Sequence, residues 1–441
     1  MDAKHKLATR WFHWLNFPIL SLMIFSGMLI YWAYDPYRIG LGSVTIFHFF
    51  PNWFYDATGI GQKLAFGMAL HFTLAWLFTL NGIAYVLYTA ISGEWRELVP
   101  EKKSFGEALQ VAMHDMGFKV ALPPQGTYNA AQRITYSLIV VMGGCSLITG
   151  LAIFKPAQLH WLTATLGGYE WARFEHFWLT MGYVGFFVIH IGQVIRAGWP
   201  NFRSMVSGHE FGESRRSFLT LGAGAAGVVG AWYWLNAAPT ADEIPAPLRN
   251  VLNANEKVVR NTIYGNDHLV ATYPKSDIGL LKKNGDIGID KPIDLTTWRL
   301  EAGNRQFTMD DIRSLPKVEQ IIDFKCVEGW SVVTQFAGAR LSDFTAKFAP
   351  GAEKFAYVGM QTPDKEYYVS IDTPSALHPQ TLLAYEMNGE PLTSDHGAPL
   401  RLVIPVKYGI KNLKRIARIE YTNNRPPDYW EEQGYDWYAG L

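Results

Sequence analysis

A helix must run for about 20 residues to cross the hydrocarbon core of a bilayer. The first half of this 441-residue chain is built from stretches of that length. Apolar runs cover residues 14–33, 68–91, 134–154 and 177–195, and a fifth begins at Phe218 and stays uncharged from 220 to 238. Four or five membrane crossings are therefore expected, and a soluble bundle with this many long buried helices is a poor alternative. Aromatic residues make up 15% of the chain, and many flank the runs, where such rings anchor at the interface. The formal net charge is zero, so no basic field points to nucleic acid.

Lysine and arginine set the orientation. The arm before the first run carries Lys4, Lys6 and Arg10; the loop between the second and third carries Arg96, Lys102, Lys103, Lys119 and Arg133. Between the fourth and fifth lie Arg196, Arg203, Arg215 and Arg216, whereas the other two loops hold only Arg38, Lys63, Lys155 and Arg173. Positive charge stays inside. That rule places the N-terminus in the cytoplasm and, after five crossings, the chain beyond about 238 on the outer side, which is the periplasm if the membrane is a bacterial inner membrane. Ser214-Arg215-Arg216-Ser217-Phe218-Leu219, heading a Gly/Ala-rich apolar run, resembles a twin-arginine export signal. A plain positive-inside anchor is the other reading. No cleavable N-terminal signal is expected.

Ionisable residues inside membrane helices are costly and mark function. His13 opens the first run, His71 lies near the start of the second, and His176 and His190 both fall on the fourth. The last two are 14 residues apart, which returns them to one helical face about 21 Å apart. One helix thus offers ligands at two depths, the geometry for two stacked haems. Topology pairs His71 with His176 on the outer side and His13 with His190 on the inner side. Two imidazoles per iron leave no open position, which favours electron transfer over oxygen chemistry. His48 and His160, in outer loops beside aromatic residues, are the competing ligands. The Arg10-Trp11-Phe12-His13-Trp14-Leu15-Asn16 run and the His176/His190 spacing resemble the di-haem cytochrome b subunits of formate dehydrogenases and nickel–iron hydrogenases, over about residues 1–205. That resemblance implies two haems b and exchange of electrons with quinone.

Residues 206–240 read as the twin-arginine-like segment with a fifth transmembrane helix, and 241–255 as a linker. From 256 to 441 short strands alternate with turns, for example at 320–326, 353–358, 367–371 and 400–406, with a short helix at 341–347. Cys145 lies in an apolar run and Cys326 in the polar half, so a disulfide between them is implausible, and two lone cysteines exclude a four-cysteine zinc or iron–sulfur site. A lone cysteine such as Cys326 commonly serves as a small core residue. Arginine, histidine and lysines in Asp395-His396-Gly397-Ala398-Pro399-Leu400-Arg401 and Lys407-Tyr408-Gly409-Ile410-Lys411-Asn412-Leu413-Lys414 suit a cradle for phosphate, or else a solvated basic strand.

Taken together with Cys326-Val327-Glu328-Gly329-Trp330-Ser331, Asn388-Gly389-Glu390-Pro391-Leu392 and Arg425-Pro426-Pro427, these segments resemble the sulfite oxidase-like molybdopterin domain, and within it the periplasmic methionine-sulfoxide reductase branch. The resemblance implies an α+β domain in which Cys326 is the molybdenum ligand and the catalytic centre. It further implies that Asn261, Tyr264, Gly265, Thr362, His396, Arg401, Asn412, Leu413 and Lys414 bind the pterin cofactor. The chain departs from the family at two points. Val327-Glu328-Gly329-Trp330 replaces the Ala-Gly-Asn and anion-binding arginine that usually follow the sulfite oxidase cysteine, and His396 stands where the reductase branch has Asn.

The expected whole is an all-α four-helix di-haem membrane bundle plus a fifth transmembrane helix, joined to a sulfite oxidase-like molybdopterin domain. Its expected activity is reduction of a periplasmic S- or N-oxide, such as methionine sulfoxide free or in proteins, with electrons from quinol. Oxidation of a small substrate into the quinone pool, or a non-catalytic electron-transfer and docking subunit, are the alternatives.

Overall fold

The computed structural model describes residues 5–123, 128–208, 215–262 and 268–441. The chain divides into two compact units. One comprises Met1–Gly27, Leu70–Leu151 and Trp171–Ala238; the other comprises Met28–Ala69, Ala152–Glu170 and Pro239–Leu441.

Four helices, Leu7–Tyr31, Leu64–Ser92, Ala130–Phe154 and Tyr169–Ser207, are long and apolar enough to cross a membrane among the described residues. Each begins several residues before the apolar run that announced it, because the flanking residues continue the helical hydrogen-bond ladder. His13 consequently sits inside the first helix and not at its start. Leu80, Ile83 and Leu87 on the second helix and Val184, Val188 and Ile195 on the fourth are exposed, as a wall facing lipid requires. The fourth helix breaks near its end, where Gly198 takes a positive φ of 77° two residues before Pro200. A further helix, Arg215–Ala237, covers the fifth run, while Ser214 lies outside the described residues.

The second unit contains two five-stranded arrangements. One runs Tyr368–Asp372, Tyr357–Gln361, Arg418–Thr422, Leu300–Ala302, Arg305–Phe307. The other runs Glu390–Pro391, Leu382–Met387, Ser331–Arg340, Lys317–Lys325, with Arg401–Val403 paired to Leu382–Met387. Leu300, Leu341, Phe344, Val358, Leu402 and Ile419 pack among the residues of the core, each fully buried. Their burial drives the fold, at about 1.5–3 kcal/mol for each large side chain.

Three local expectations differ from the structure. Residues 241–255, read as a linker, hold a small hairpin and most of the helix Ala246–Thr262. Pro247 is tolerated in its first turn, where no donor is needed, and Leu248, Leu252 and Val259 bury one face. The strand expected at 353–358 is instead a tight turn at Ala352–Lys354 followed by Tyr357–Gln361; Gly351, at φ 90°, opens that turn. The strand expected at 400–406 is only Arg401–Val403, since Pro405 cannot donate to a ladder.

Candidate functional site

In the membrane unit, helix spacing brings the histidines together in pairs. His71 faces His176 with ring centroids 6.2 Å apart, and His13 faces His190 at 6.0 Å. Two imidazoles sharing a metal, each nitrogen about 2 Å from it, have ring centres about 6 Å apart. Both pairs therefore fit a shared iron. The first helix is set against the end of the fourth by Arg10, which donates to the Val206 carbonyl at 2.8 Å, and by Trp14 Nε1, which donates to the Met205 carbonyl at 3.1 Å. A cation there also suits the carbonyl end of a helix. His48 is engaged by Asp35 at 3.0 Å, and His160 opens the short helix His160–Thr165.

In the second unit, Cys326 follows the strand Lys317–Lys325. Its N–H donates to the Trp330 carbonyl at 3.0 Å, and its carbonyl accepts from Gly329 N–H, closing a turn in which Gly329 takes φ 104°. The thiol is buried and free. Asn284 Nδ2 lies 3.6 Å from Sγ, and Glu328, held by Trp330 Nε1 at 2.6 Å, stands beside it. Burial first, and then the Glu328 carboxylate, push the thiol pKa far up. Burial keeps the proton on the sulfur; a bound metal reverses that preference. The hydroxyl of Tyr435 is also pushed up by burial, with Glu328 and Cys326 adding to it. Tyr367, fixed between the Ile410 carbonyl and Trp430 Nε1, feels the same sulfur.

Next to this turn lies a cluster of positive charge, offset in part by Asp395, 3.3 Å from Lys283, and by Asp286. Arg401 opens a strand of the sheet that carries Cys326. It is 2% exposed, lies over Phe324 and Phe336, and donates only a long 3.3 Å bond to the His396 carbonyl, while its Nε is buried without a partner among the described residues. Burial pulls its pKa down to about 10. Burial, Arg401 and Lys283 pull Lys414 down to about 8, and burial, Arg401 and Lys414 lower His396. Lys414 holds the 284–285 loop by donating to both its carbonyls at 2.8 and 2.9 Å. A buried, incompletely satisfied guanidinium among cations that repel one another fits an anionic group such as a phosphate. The residues present therefore suit a molybdopterin, with Cys326 Sγ as metal ligand and Arg401, His396 and Lys414 toward the anion.

Other expected contacts are spent on the scaffold. Asn412 accepts from Ile404 N–H at 2.7 Å and donates to the Tyr408 carbonyl at 3.1 Å. Leu413 is fully buried, so what it can offer is main chain. The Thr362 hydroxyl donates to Asp364 at 2.6 Å within its own hairpin. Lys411 pairs with buried Asp428 at 2.5 Å, and Lys407 lies 3.4 Å over the Tyr438 ring, 3.6 Å from Asp372. The lysine-rich motif is thus largely structural, with only Lys414 left at the cradle. Tyr264 and Gly265 lie outside the described residues, and Asn261 is placed only as part of the helix Ala246–Thr262. Sequence reasoning missed Lys283, Asn284, Tyr367 and Tyr435. They sit 40 or more residues from the cysteine in sequence, and none belongs to a motif of its own.

Comparisons with known proteins match two families to two parts of the chain. The family described as prokaryotic cytochrome b561 matches residues 4–208, and that described as oxidoreductase molybdopterin binding domain matches residues 288–430. The protein-methionine-sulfoxide reductase subunit YedZ1 of Azospira oryzae is 34% identical over 212 residues, 46% of this chain and 80% of that protein. The protein-methionine-sulfoxide reductase catalytic subunit MsrP of Campylobacter jejuni is 30% identical over 253 residues, 52% of this chain and 81% of that protein. A sulfane dehydrogenase structure, SoxCD of Paracoccus pantotrophus, aligns at 19% identity and TM-score 0.28, over 31% of this chain and 40% of that one.

Proposed function

The chain belongs to the protein-methionine-sulfoxide reductase family, as a membrane molybdopterin-dependent oxidoreductase with a haem b half, and from that premise we propose that it reduces sulfoxides, methionine sulfoxide foremost, with electrons drawn from quinol. Its relatives supply the two halves as separately named subunits; here one polypeptide carries both. The observation that carries the reading is that this single chain holds two imidazole pairs at metal-sharing distance together with a buried cysteine beside an anion cradle.

Each residue has a task in that scheme. Cys326 Sγ holds the molybdenum, and Asn284 and the Gly329 turn orient the sulfur. Arg401, His396 and Lys414 take the cofactor's phosphate, and burial of Arg401 keeps water from competing for it. Trp330 holds the Glu328 carboxylate next to the sulfur. Molybdenum bound there supplies oxygen-atom transfer, in which a sulfoxide, two electrons and two protons give a sulfide and water. His71 with His176 and His13 with His190 each hold one haem b, a one-electron carrier. Arg10 and Trp14 keep the second pair in register.

The arrangement in the membrane follows the charge bias. The N-terminus is cytoplasmic, Arg215–Ala237 is a fifth span, and the domain from about 256 lies in the periplasm of a bacterial inner membrane. Arg215 and Arg216 then serve a twin-arginine route, which suits a domain that folds around its cofactor before export. Residues 1–205 form the cytochrome domain in this division, and 206–240 the export and anchor segment.

The test is spectral. Purified protein is reduced with a quinol analogue and its haem band followed. Addition of methionine sulfoxide re-oxidises the haems if the proposal holds. Haems that are reduced but stay reduced with every S- and N-oxide, or that are reduced by a small substrate and re-oxidised by quinone, overturn it.

A further inference from the structure

The two imidazole pairs are alike in separation but not in their hydrogen bonds. Ser26 Oγ lies 2.9 Å from His71 Nδ1, and Thr149 Oγ1 lies 2.9 Å from His176 Nδ1. Both hydroxyls are buried. In the other pair, His13 Nδ1 is buried without a hydrogen-bond partner among the described residues, and the His190 ring stacks on Phe186.

The direction of the two hydroxyl bonds follows from where each hydroxyl proton goes. Ser26 donates to the Met23 carbonyl at 2.9 Å. Thr149 donates to the Cys145 carbonyl at 2.8 Å, with Ser146 at 3.3 Å. A hydroxyl has one proton to give and two lone pairs to offer. With its proton committed to a carbonyl, each oxygen accepts from the imidazole, so Nδ1 carries the ring proton and Nε2 keeps its lone pair. Outer partners of this kind fix a ligand's tautomer and ring orientation and raise its basicity. A more basic ligand stabilises the ferric state and lowers the reduction potential.

We propose that Ser26 and Thr149 are positioning residues: they present the Nε2 atoms of His71 and His176 to one haem iron and hold that haem at a lower potential than the one between His13 and His190. The proposal rests on the two-haem reading above.

The experiment uses full-length protein in detergent and reads two quantities, haem per chain and the two midpoint potentials from a spectroelectrochemical titration. The variants are Ser26→Ala, Thr149→Val and both together, with the conservative Ser26→Thr and Thr149→Ser. Ser137→Ala is the control; Ser137 donates to the Leu98 carbonyl at 2.9 Å. The double variant should raise one midpoint by about tenfold in the reduction equilibrium, about 59 mV for one electron, with the lower-potential haem moving and the other unmoved. Weakened retention of that haem, by about 10–100-fold in affinity, supports the proposal if the conservative variants keep both haems at wild-type potentials. Two retained haems with unmoved midpoints overturn it. So do equal shifts of both midpoints, or haem loss that the conservative variants share, since those report packing and not a hydroxyl. Fewer than two haems in the wild-type protein overturns the underlying reading instead.

Discussion

In the membrane unit the functional side chains sit on regular helices, and each imidazole meets one partner across the bundle. In the second unit they come from loops and strand ends far apart in sequence, and they crowd like charges together. His176 and His190 are placed by helical repeat alone, 14 residues apart on one face. Cys326, Arg401, Lys414 and Asn284 are placed by a sheet, two tight turns and a loop tied down through carbonyls. The difference follows from the solvent. In lipid the backbone must satisfy itself, so the chain runs as continuous helices with few polar groups. Outside, charges can be stored in buried pairs and in a cradle awaiting an anion.

The largest test of this division is Cys326→Ser. Even an outer-shell partner costs about 10–100-fold when removed, so losing the ligand should lower turnover by more than about 100-fold and remove molybdenum, while haem per chain stays at the wild-type value. Metal analysis beside a haem spectrum checks it; loss of haem as well would show that the two regions are not chemically independent. The converse is His176→Leu, which should remove one of two haems and leave molybdenum in place. If no haem is lost, His48 or His160 is the ligand.

A smaller effect concerns the buried charges of the second unit. Lys411→Met strands Asp428, whose side chain is 0% exposed, and breaking such a pair costs about 3–5 kcal/mol. Thermal unfolding should fall accordingly, and Lys411→Met with Asp428→Asn, which removes the stranded charge but keeps an acceptor for the backbone N–H groups of Ser370 and Glu431, should recover most of it. Haem absorbance should survive at temperatures where this unit has melted. A double variant no more stable than the single one would mean that the pair matters through shape and not charge.

The smallest effect is a pH dependence. In cofactor-free protein Lys414 sits at about 8, below its ordinary 10.5, through burial, Arg401 and Lys283. Between about 8 and 10.5 the unfolded chain holds this proton more tightly than the folded one, so this group makes stability rise with pH across that window. Lys414→Met should flatten the rise. Equal slopes for the two proteins would remove Lys414 from the cradle.

Much of the membrane unit was legible in advance because a helix is a one-dimensional object. Run length gave the crossings, and a 100° turn per residue gave the shared face of His176 and His190. The pairing of histidines by depth followed from topology. The Cys326 and Arg401 motifs were legible as resemblances, yet nothing in their spacing said that they lie on one sheet. Asn412 and Thr362 illustrate the other limit: a motif names a residue type, and hydrogen bonds decide whether its side chain is available.

The sequence alone determined the four long apolar helices and the shared face of His176 and His190, because those depend on composition and short periods. Tertiary structure decided which cations are free. Lys407 and Lys411 are neutralised by Asp372 and Asp428, more than 15 residues away in either direction, while Arg401 keeps a buried donor unsatisfied. It also decided that Ser26 and Thr149, ordinary helix hydroxyls in sequence, stand behind His71 and His176. Such a contact depends on how two helices are rotated against each other, and that rotation is set by the packing of the whole bundle.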